Sequence, residues 1–367
     1  MEEQFEKKIS EIIENNILPN VEKWETQKIC PLWLVKELGE AGIIYNCVHT
    51  EYSFRNKIIL AESLGRINSL GIACTIINNI NIPLFMLKYF GSDQLKEKYL
   101  EPMLKGEMVG AIAITEPNGG SDIINSVNTS IFSEGDKLII NGTKKFILNV
   151  PGADFVIVLA KSSEKSHFLG FTLVLVPLSG EGITVSRIKT GGLYTANMGE
   201  ITFDNCHVPA ENIIGDSNRG LLILNEAFNE ERLIGSLLLL SSTENAIKMT
   251  FEFVNSRQLM NDRLGNLQAI RHKLADLCAE YEILKAFAYE VCEEWPNKST
   301  KFTRKVAMLK VLCAENSQKI IDSCLQLFGG RGYLAETPIT RVYRDTIGAG
   351  LFAGAPEVMK EIISKGL

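Results

Sequence analysis

The strongest constraint in this 367-residue sequence is the segregation of its two hydrophobic periodicities. Up to about residue 109 the apolar positions recur at helical spacing, as in Phe5, Ile9, Ile12 and Ile13, or Trp33, Leu34, Leu38 and Ile43. From there to about 215 the text is strand-like, with apolar runs at Val109–Ile114, Phe155–Leu159 and Leu173–Val176. Turn signals such as Glu134-Gly135-Asp136 and Ser179-Gly180-Glu181-Gly182 separate those runs. Helical spacing returns in Leu221–Arg257, Leu267–Glu294 and Thr303–Phe328. Strands that do not alternate with helices exclude a βαβ architecture. The expectation is an α+β chain with a helical domain over 1–109, a β domain over 110–215 and a helical bundle over 216–367.

Composition narrows the partners. With 46% hydrophobic and 22% charged residues, the chain reads as an ordinary folded protein with a large core. A net charge of −6 and the lack of any Lys/Arg run of five argue against nucleic acid or an anionic membrane as partner. No uninterrupted apolar run approaches 18 residues and the N-terminus has no apolar signal core. The expectation is a cytoplasmic protein with no membrane span. The 8 cysteines form no CxxC pair and read as packed thiols in a reducing compartment. His49, His167, His207 and His272 have no metal-ligand spacing, so no metal is expected.

Glycine-rich segments are more informative. Gly330-Arg331-Gly332-Tyr333-Leu334-Ala335 has a nominal dinucleotide-fingerprint spacing, but it follows the amphipathic run Val306–Phe328 instead of a strand, so a Rossmann reading fails. Thr115-Glu116-Pro117-Asn118-Gly119-Gly120-Ser121-Asp122 ends an apolar strand and suits either a tight turn or a backbone approach to a ligand. Gln326-Leu327-Phe328-Gly329-Gly330-Arg331-Gly332 holds more glycine than a helix C-cap requires. Finally, Glu230-Glu231-Arg232 leads into Leu233–Leu240, a helix segment apolar on nearly every face. A carboxylate there is a candidate base with a raised pKa, and periodicity alone leaves Glu230 and Glu231 both open.

These motifs, with Phe90-Gly91-Ser92 and Lys96–Leu100 before them and Arg341-Val342-Tyr343-Arg344-Asp345 after, resemble the flavin-dependent acyl-CoA dehydrogenase superfamily over nearly the whole chain. The resemblance implies an N-terminal α-helical domain, a central β-barrel-like domain and a C-terminal four-helix bundle. It implies FAD as cofactor, an acyl thioester as substrate and a homo-oligomer, dimer or tetramer. On the flavin side it points to Thr115, Ser121, Phe146 and Leu148, with Phe146-Ile147-Leu148 standing where the family has Trp-Ile-Thr. Across a dimer interface it points to Arg257 and Gln268, with Met260 at an aromatic position of the family. Gln326, Gly329 and Gly330 fall on the dinucleotide-contacting turn.

Family members carry the catalytic Glu in one of two places. The commoner Tyr-Glu-Gly-Thr reads Phe352-Ala353-Gly354-Ala355 here and lacks the carboxylate, whereas Glu231-Arg232 corresponds to the other, isovaleryl-type position. The resemblance therefore selects Glu231. The C-terminal text Arg344–Gly354 is similar to a branch that oxidises acyl or aminoacyl groups on carrier proteins in polyketide and nonribosomal peptide biosynthesis. Alternatives are a short- or branched-chain acyl-CoA dehydrogenase of catabolism, a non-catalytic thioester-binding relative and a flavin oxygenase. Electron-transfer flavoprotein or oxygen is the expected acceptor.

Overall fold

The computed structural model describes residues 2–162, 168–296 and 299–365, so His167 lies outside the described residues. Numbering helices of seven residues or more, the N-terminal part contains α1 (Glu2–Ile12), α2 (Val21–Gln27), α3 (Trp33–Glu40), α4 (Ile43–His49), α5 (Ser53–Gly65), α6 (Leu70–Asn81) and α7 (Pro83–Phe90). Every residue of α6 is buried. The stretch Leu70–Phe90 is apolar and long enough to cross a membrane by length and composition, with mean hydropathy 1.6. The uninterrupted-run criterion misses it because Asn78, Asn79 and Asn81 break the run; residues 70–87 are all buried inside the protein and Tyr89 is exposed.

Eight strands follow: β1 (Gly110–Ala113), β2 (Ser130–Glu134), β3 (Lys137–Ile147), β4 (Phe155–Lys161), β5 (Phe171–Pro177), β6 (Ile183–Arg187), β7 (Gly199–Pro209) and β8 (Ile213–Ile214). They form one sheet in the order β6-β7-β3-β2-β4-β5-β8, with β1 added in parallel to β4. The period-2 alternation of β4 and β5 sorts their side chains. Phe155, Ile157, Leu159, Leu173 and Leu175 join the helical core, while Val156, Val158, Val174 and Val176 pack against Ile140, Ile201 and Phe203 from β3 and β7. Burial on both faces explains why these strands read as continuous apolar runs. The hydrogen-bonded path runs from β6 to β8, and no pairing of those two strands closes it among the described residues.

The C-terminal part holds α8 (Gly220–Ser256), α9 (Gln268–Glu293), α10 (Thr300–Leu327) and α11 (Pro338–Leu351), which pack as a four-helix bundle, with α12 (Pro356–Ser364) against α10. Helix α8 has 37 residues and packs on α5 and α6 as well as on its own bundle. It is the rod that joins the two helical parts. Helix α11 is tied back by ion pairs of Arg341 with Glu22 and Arg344 with Glu25, and by Asp345 Oδ1, which accepts from the Leu193 N–H at 2.6 Å. Seven of the eight cysteines are buried and Cys278 is exposed.

Candidate active site

Consecutive residues on a helix diverge by about 100° at 3.6 residues per turn. Glu230 and Glu231 separate accordingly. Glu230 is buried and forms an ion pair with Lys57 Nζ of α5. Glu231 faces a different cavity, lined by Cys74 and Asn78 of α6, Leu148, Lys310 of α10, and Phe352 and Ala353 beyond α11. Its Oε2 accepts a 3.0 Å hydrogen bond from Asn81 Nδ2. Burial pushes its pKa above the ordinary carboxylate value. Helix geometry thus gives the two carboxylates different surroundings: Glu230 is paired with Lys57, and Glu231 lines the cavity beside Leu148 and Phe352.

The next residue completes the wall. Arg232 is buried, and its Nε donates to the carbonyl of Ala353 at 2.9 Å. Its guanidinium lies 5.2 Å from the centroid of the Phe228 ring. Burial lowers its pKa to about 10, so it remains a cation at neutral pH. Ala353, which the resemblance sets against the family's commoner catalytic Glu, brings no carboxylate to the cavity wall.

The β-domain residues approach from the other side. The β3–β7 register shifts between Lys144 and Ile147, a bulge that turns Phe146 to φ 61 and leaves its ring half-exposed. The Lys145 N–H donates to the Thr115 carbonyl at 2.8 Å, which sets Thr115 beside the bulge. Two residues beyond Phe146, Leu148 lines the Glu231 cavity. Thr115 thus lies beside the bulge that carries Phe146, Leu148 lines the cavity, and Ser121 is exposed on the same loop as Thr115. An open aromatic ring beside a polar loop, leading to a partly apolar cavity, fits a planar heteroaromatic group such as a flavin.

That loop is a tight turn braced from below. Glu116 and Gly119 exchange backbone hydrogen bonds at 3.1 and 3.2 Å. The buried Glu116 carboxylate accepts from the Asn128 and Thr129 N–H groups, each at 2.8 Å, and from Lys144 Nζ at 2.9 Å. A Cβ on Gly119 would come within 2.4 Å of the Ser126 Cβ, so packing inside the loop already requires that glycine.

The remaining expected residues gather elsewhere. Arg257 caps the far end of α8, Met260 and Gln268 follow it, and all three are exposed. The Phe253 ring stacks on Phe328 at 4.3 Å, bringing Gln326, Gly329 and Gly330 to the same end. Gly329 has φ +57, and a Cβ on it or on Gly330 would touch nothing, so this turn offers bare backbone. Arg257 follows Glu231 by 26 residues along the helix, about 39 Å at the α-helical rise. One chain therefore does not bring the two groups together at one dinucleotide.

Two residues around Glu231 escaped sequence reasoning: Asn81 and Lys310. Each is a buried polar side chain in a mainly apolar helix, which is the signal that was available.

The chain matches three family models, described as the N-terminal domain of acyl-CoA dehydrogenase over residues 1–107, the middle domain over 111–206 and the C-terminal domain over 218–367. It is 28% identical over 356 residues to the mitochondrial short-chain specific acyl-CoA dehydrogenase of Rattus norvegicus, covering 96% of this chain and 86% of that protein. Among solved structures, an acyl-CoA dehydrogenase from Geobacillus kaustophilus superposes with a TM-score of 0.92 at 28% identity, covering 100% of this chain and 98% of the other. The prolyl acyl carrier protein oxidase AnaB superposes with a TM-score of 0.91 at 25% identity, over 99% and 97% of the two chains. Family models over nearly the full length, joined to a fold that agrees from end to end, establish that this chain belongs to the acyl-CoA dehydrogenase family.

Proposed function

We propose that the protein is an FAD-dependent dehydrogenase that converts an acyl thioester to its α,β-unsaturated form, with Glu231 as the base. The observation that carries this reading is the position of Glu231: a desolvated carboxylate, free of any ion pair shown for it, opening into the cavity beside Leu148 and Phe352. A thioester carbonyl acidifies the α-proton, and a positioned carboxylate with a raised pKa is suited to accept it. Bound FAD supplies the acceptor for the hydride that leaves the β-carbon. Glu231 gains one proton, the α and β carbons gain a double bond, and the thioester is retained.

Thr115, Phe146 and Leu148 would hold the flavin face, and Leu148 brings no hydroxyl where the family has Thr. Gln326, Gly329, Gly330, Arg257, Met260 and Gln268 would serve a neighbouring copy, since a distance of about 39 Å along α8 separates them from Glu231. A homodimer or a dimer of dimers follows from that arrangement.

For the acyl carrier, we favour a carrier protein over free CoA. The resemblance of Arg344–Gly354 to carrier-protein enzymes and the structural similarity to a prolyl acyl carrier protein oxidase support this reading. The similarity to a short-chain acyl-CoA dehydrogenase supports the catabolic alternative. Electron-transfer flavoprotein or oxygen would then reoxidise the flavin. The test is intact-mass measurement of acyl- and aminoacyl-loaded carrier proteins after incubation with the enzyme. A loss of two hydrogens on the carrier but not on acyl-CoA supports the reading; equal or better turnover of acyl-CoA overturns it. Glu231→Gln should retain flavin and lose turnover by about 10²–10⁴-fold. Near-normal turnover in that variant would remove Glu231 from the mechanism.

A further inference from the structure

Lys310 occupies a place where a lysine is costly. It lies on the buried face of α10 between Leu309 and Val311, is 6% exposed, and lines the same cavity as Glu231. Its Nζ is satisfied by two main-chain oxygens, donating to the carbonyls of Ala349 at 3.0 Å and Gly350 at 3.3 Å. Those are terminal carbonyls of α11, which lack helical partners and sit at the negative end of its dipole. The chain then runs through Phe352 and Ala353, both in the cavity wall, and Arg232 Nε fastens the Ala353 carbonyl. Two buried cations, one from α10 and one from α8, thus pin the segment 349–353 at its two ends, and Glu231 shares the cavity with both.

We propose that Lys310 is a positioning residue for the Glu231 base, fastening the wall opposite it and supplying the positive charge that keeps its carboxyl ionisable in a desolvated cavity. The inference rests on the reading of Glu231 as base. The charged and titratable groups facing Lys310 are Glu231 and Arg232 of α8, Cys74 of α6 and Cys313 on its own helix. Those acting on Glu231 are Lys310 and Cys74 in the cavity and, from the neighbouring face of α8, Glu230 and its partner Lys57, together with the hydrogen bond from Asn81. Burial raises the Cys313 thiol to about 12 and the Cys74 thiol further still, so both stay neutral through the working range. Burial lowers Lys310 to about 8. Above that pH the positive charge is lost, while the neutral amine keeps N–H donors for the two carbonyls.

The test is a pH titration of flavin-loaded wild type, Lys310→Met and Lys310→Arg. The first readout is the infrared band of the protonated Glu231 carboxyl, identified by its absence in Glu231→Gln. The second is kcat/KM on the thioester that the wild type oxidises. In Lys310→Met the Glu231 midpoint should move up by about one pH unit, a tenfold change in its ionisation constant. Lys310→Arg should restore it. A folded, flavin-loaded Lys310→Met with an unmoved midpoint overturns the inference. If Lys310→Met does not fold, Lys310→Gln decides, since it keeps a donor for the carbonyls but carries no charge: its Glu231 midpoint should likewise move up by about one pH unit. A folded Lys310→Gln with an unmoved midpoint overturns the inference. Turnover retained by Glu231→Gln would instead overturn the reading of the base, while the infrared midpoints would still report the Lys310–Glu231 coupling.

Discussion

Arg232 Nε donates a 2.9 Å hydrogen bond to the carbonyl oxygen of Ala353. The residue after the candidate base is thereby joined to the position at which other members of the family carry theirs. With alanine at 353 the cavity holds a single acidic side chain among its lining residues, Glu231, and the buried guanidinium secures the backbone across from it.

The hydrogen bond from Asn81 to Glu231 sets the pH range of the base. A base works deprotonated, so kcat/KM should climb as pH rises through a Glu231 pKa that burial already holds above the ordinary value. Asn81 favours the charged form by donating at 3.0 Å. Asn81→Leu removes a bond to a charged group, a class of interaction contributing about 1.5–3 kcal/mol. The acidic limb should therefore move up by about one pH unit, so that activity at pH 6 falls more than activity at pH 8. A limb that stays in place in the pH–rate profile would show that Asn81 does not act on Glu231.

Glu230 should separate from its neighbour by what its loss costs. Glu230→Gln leaves the buried Lys57 without its carboxylate, and breaking one side of a buried pair costs about 3–5 kcal/mol. Denaturant unfolding should register that loss, while turnover per folded, flavin-loaded molecule stays within a few-fold of wild type. A stable but inactive Glu230→Gln would reverse the assignment of the two glutamates.

Phe146 offers a direct test of where the flavin lies. Its ring is 51% exposed, so truncation removes little from the core. Aromatic stacking contributes about 0.5–1.5 kcal/mol beyond area burial. Phe146→Ala should weaken FAD binding to the apoprotein up to about tenfold, measured by flavin fluorescence titration, with apoprotein stability nearly unchanged. An unaltered Kd would move the flavin away from the β3 bulge.

Much of the fold was legible because each part carries its own period. The long helices Gly220–Ser256, Gln268–Glu293 and Thr300–Leu327 announce themselves through repeated apolar faces, and β4 and β5 through short runs buried on both sides. Sheet closure was not legible, since no local pattern states whether the edge strands β6 and β8 meet. The apolar Leu70–Phe90 stretch also needed the fold, because composition alone does not separate a buried pair of helices from a membrane span.

The sequence by itself determined the order of the three parts, the family and the short set of residues from which the site is built. Tertiary structure decided which glutamate is paired with Lys57, because that lysine lies more than 170 residues from Glu230 and only folding brings them together. It also brought Asn81 and Lys310 to the cavity, and set Arg257 and Gly329 at the opposite end of α8. Helical periodicity records which face of a helix is buried. It does not record which distant side chain waits there, and in this protein that partner is Lys57 for Glu230 and Asn81 for Glu231.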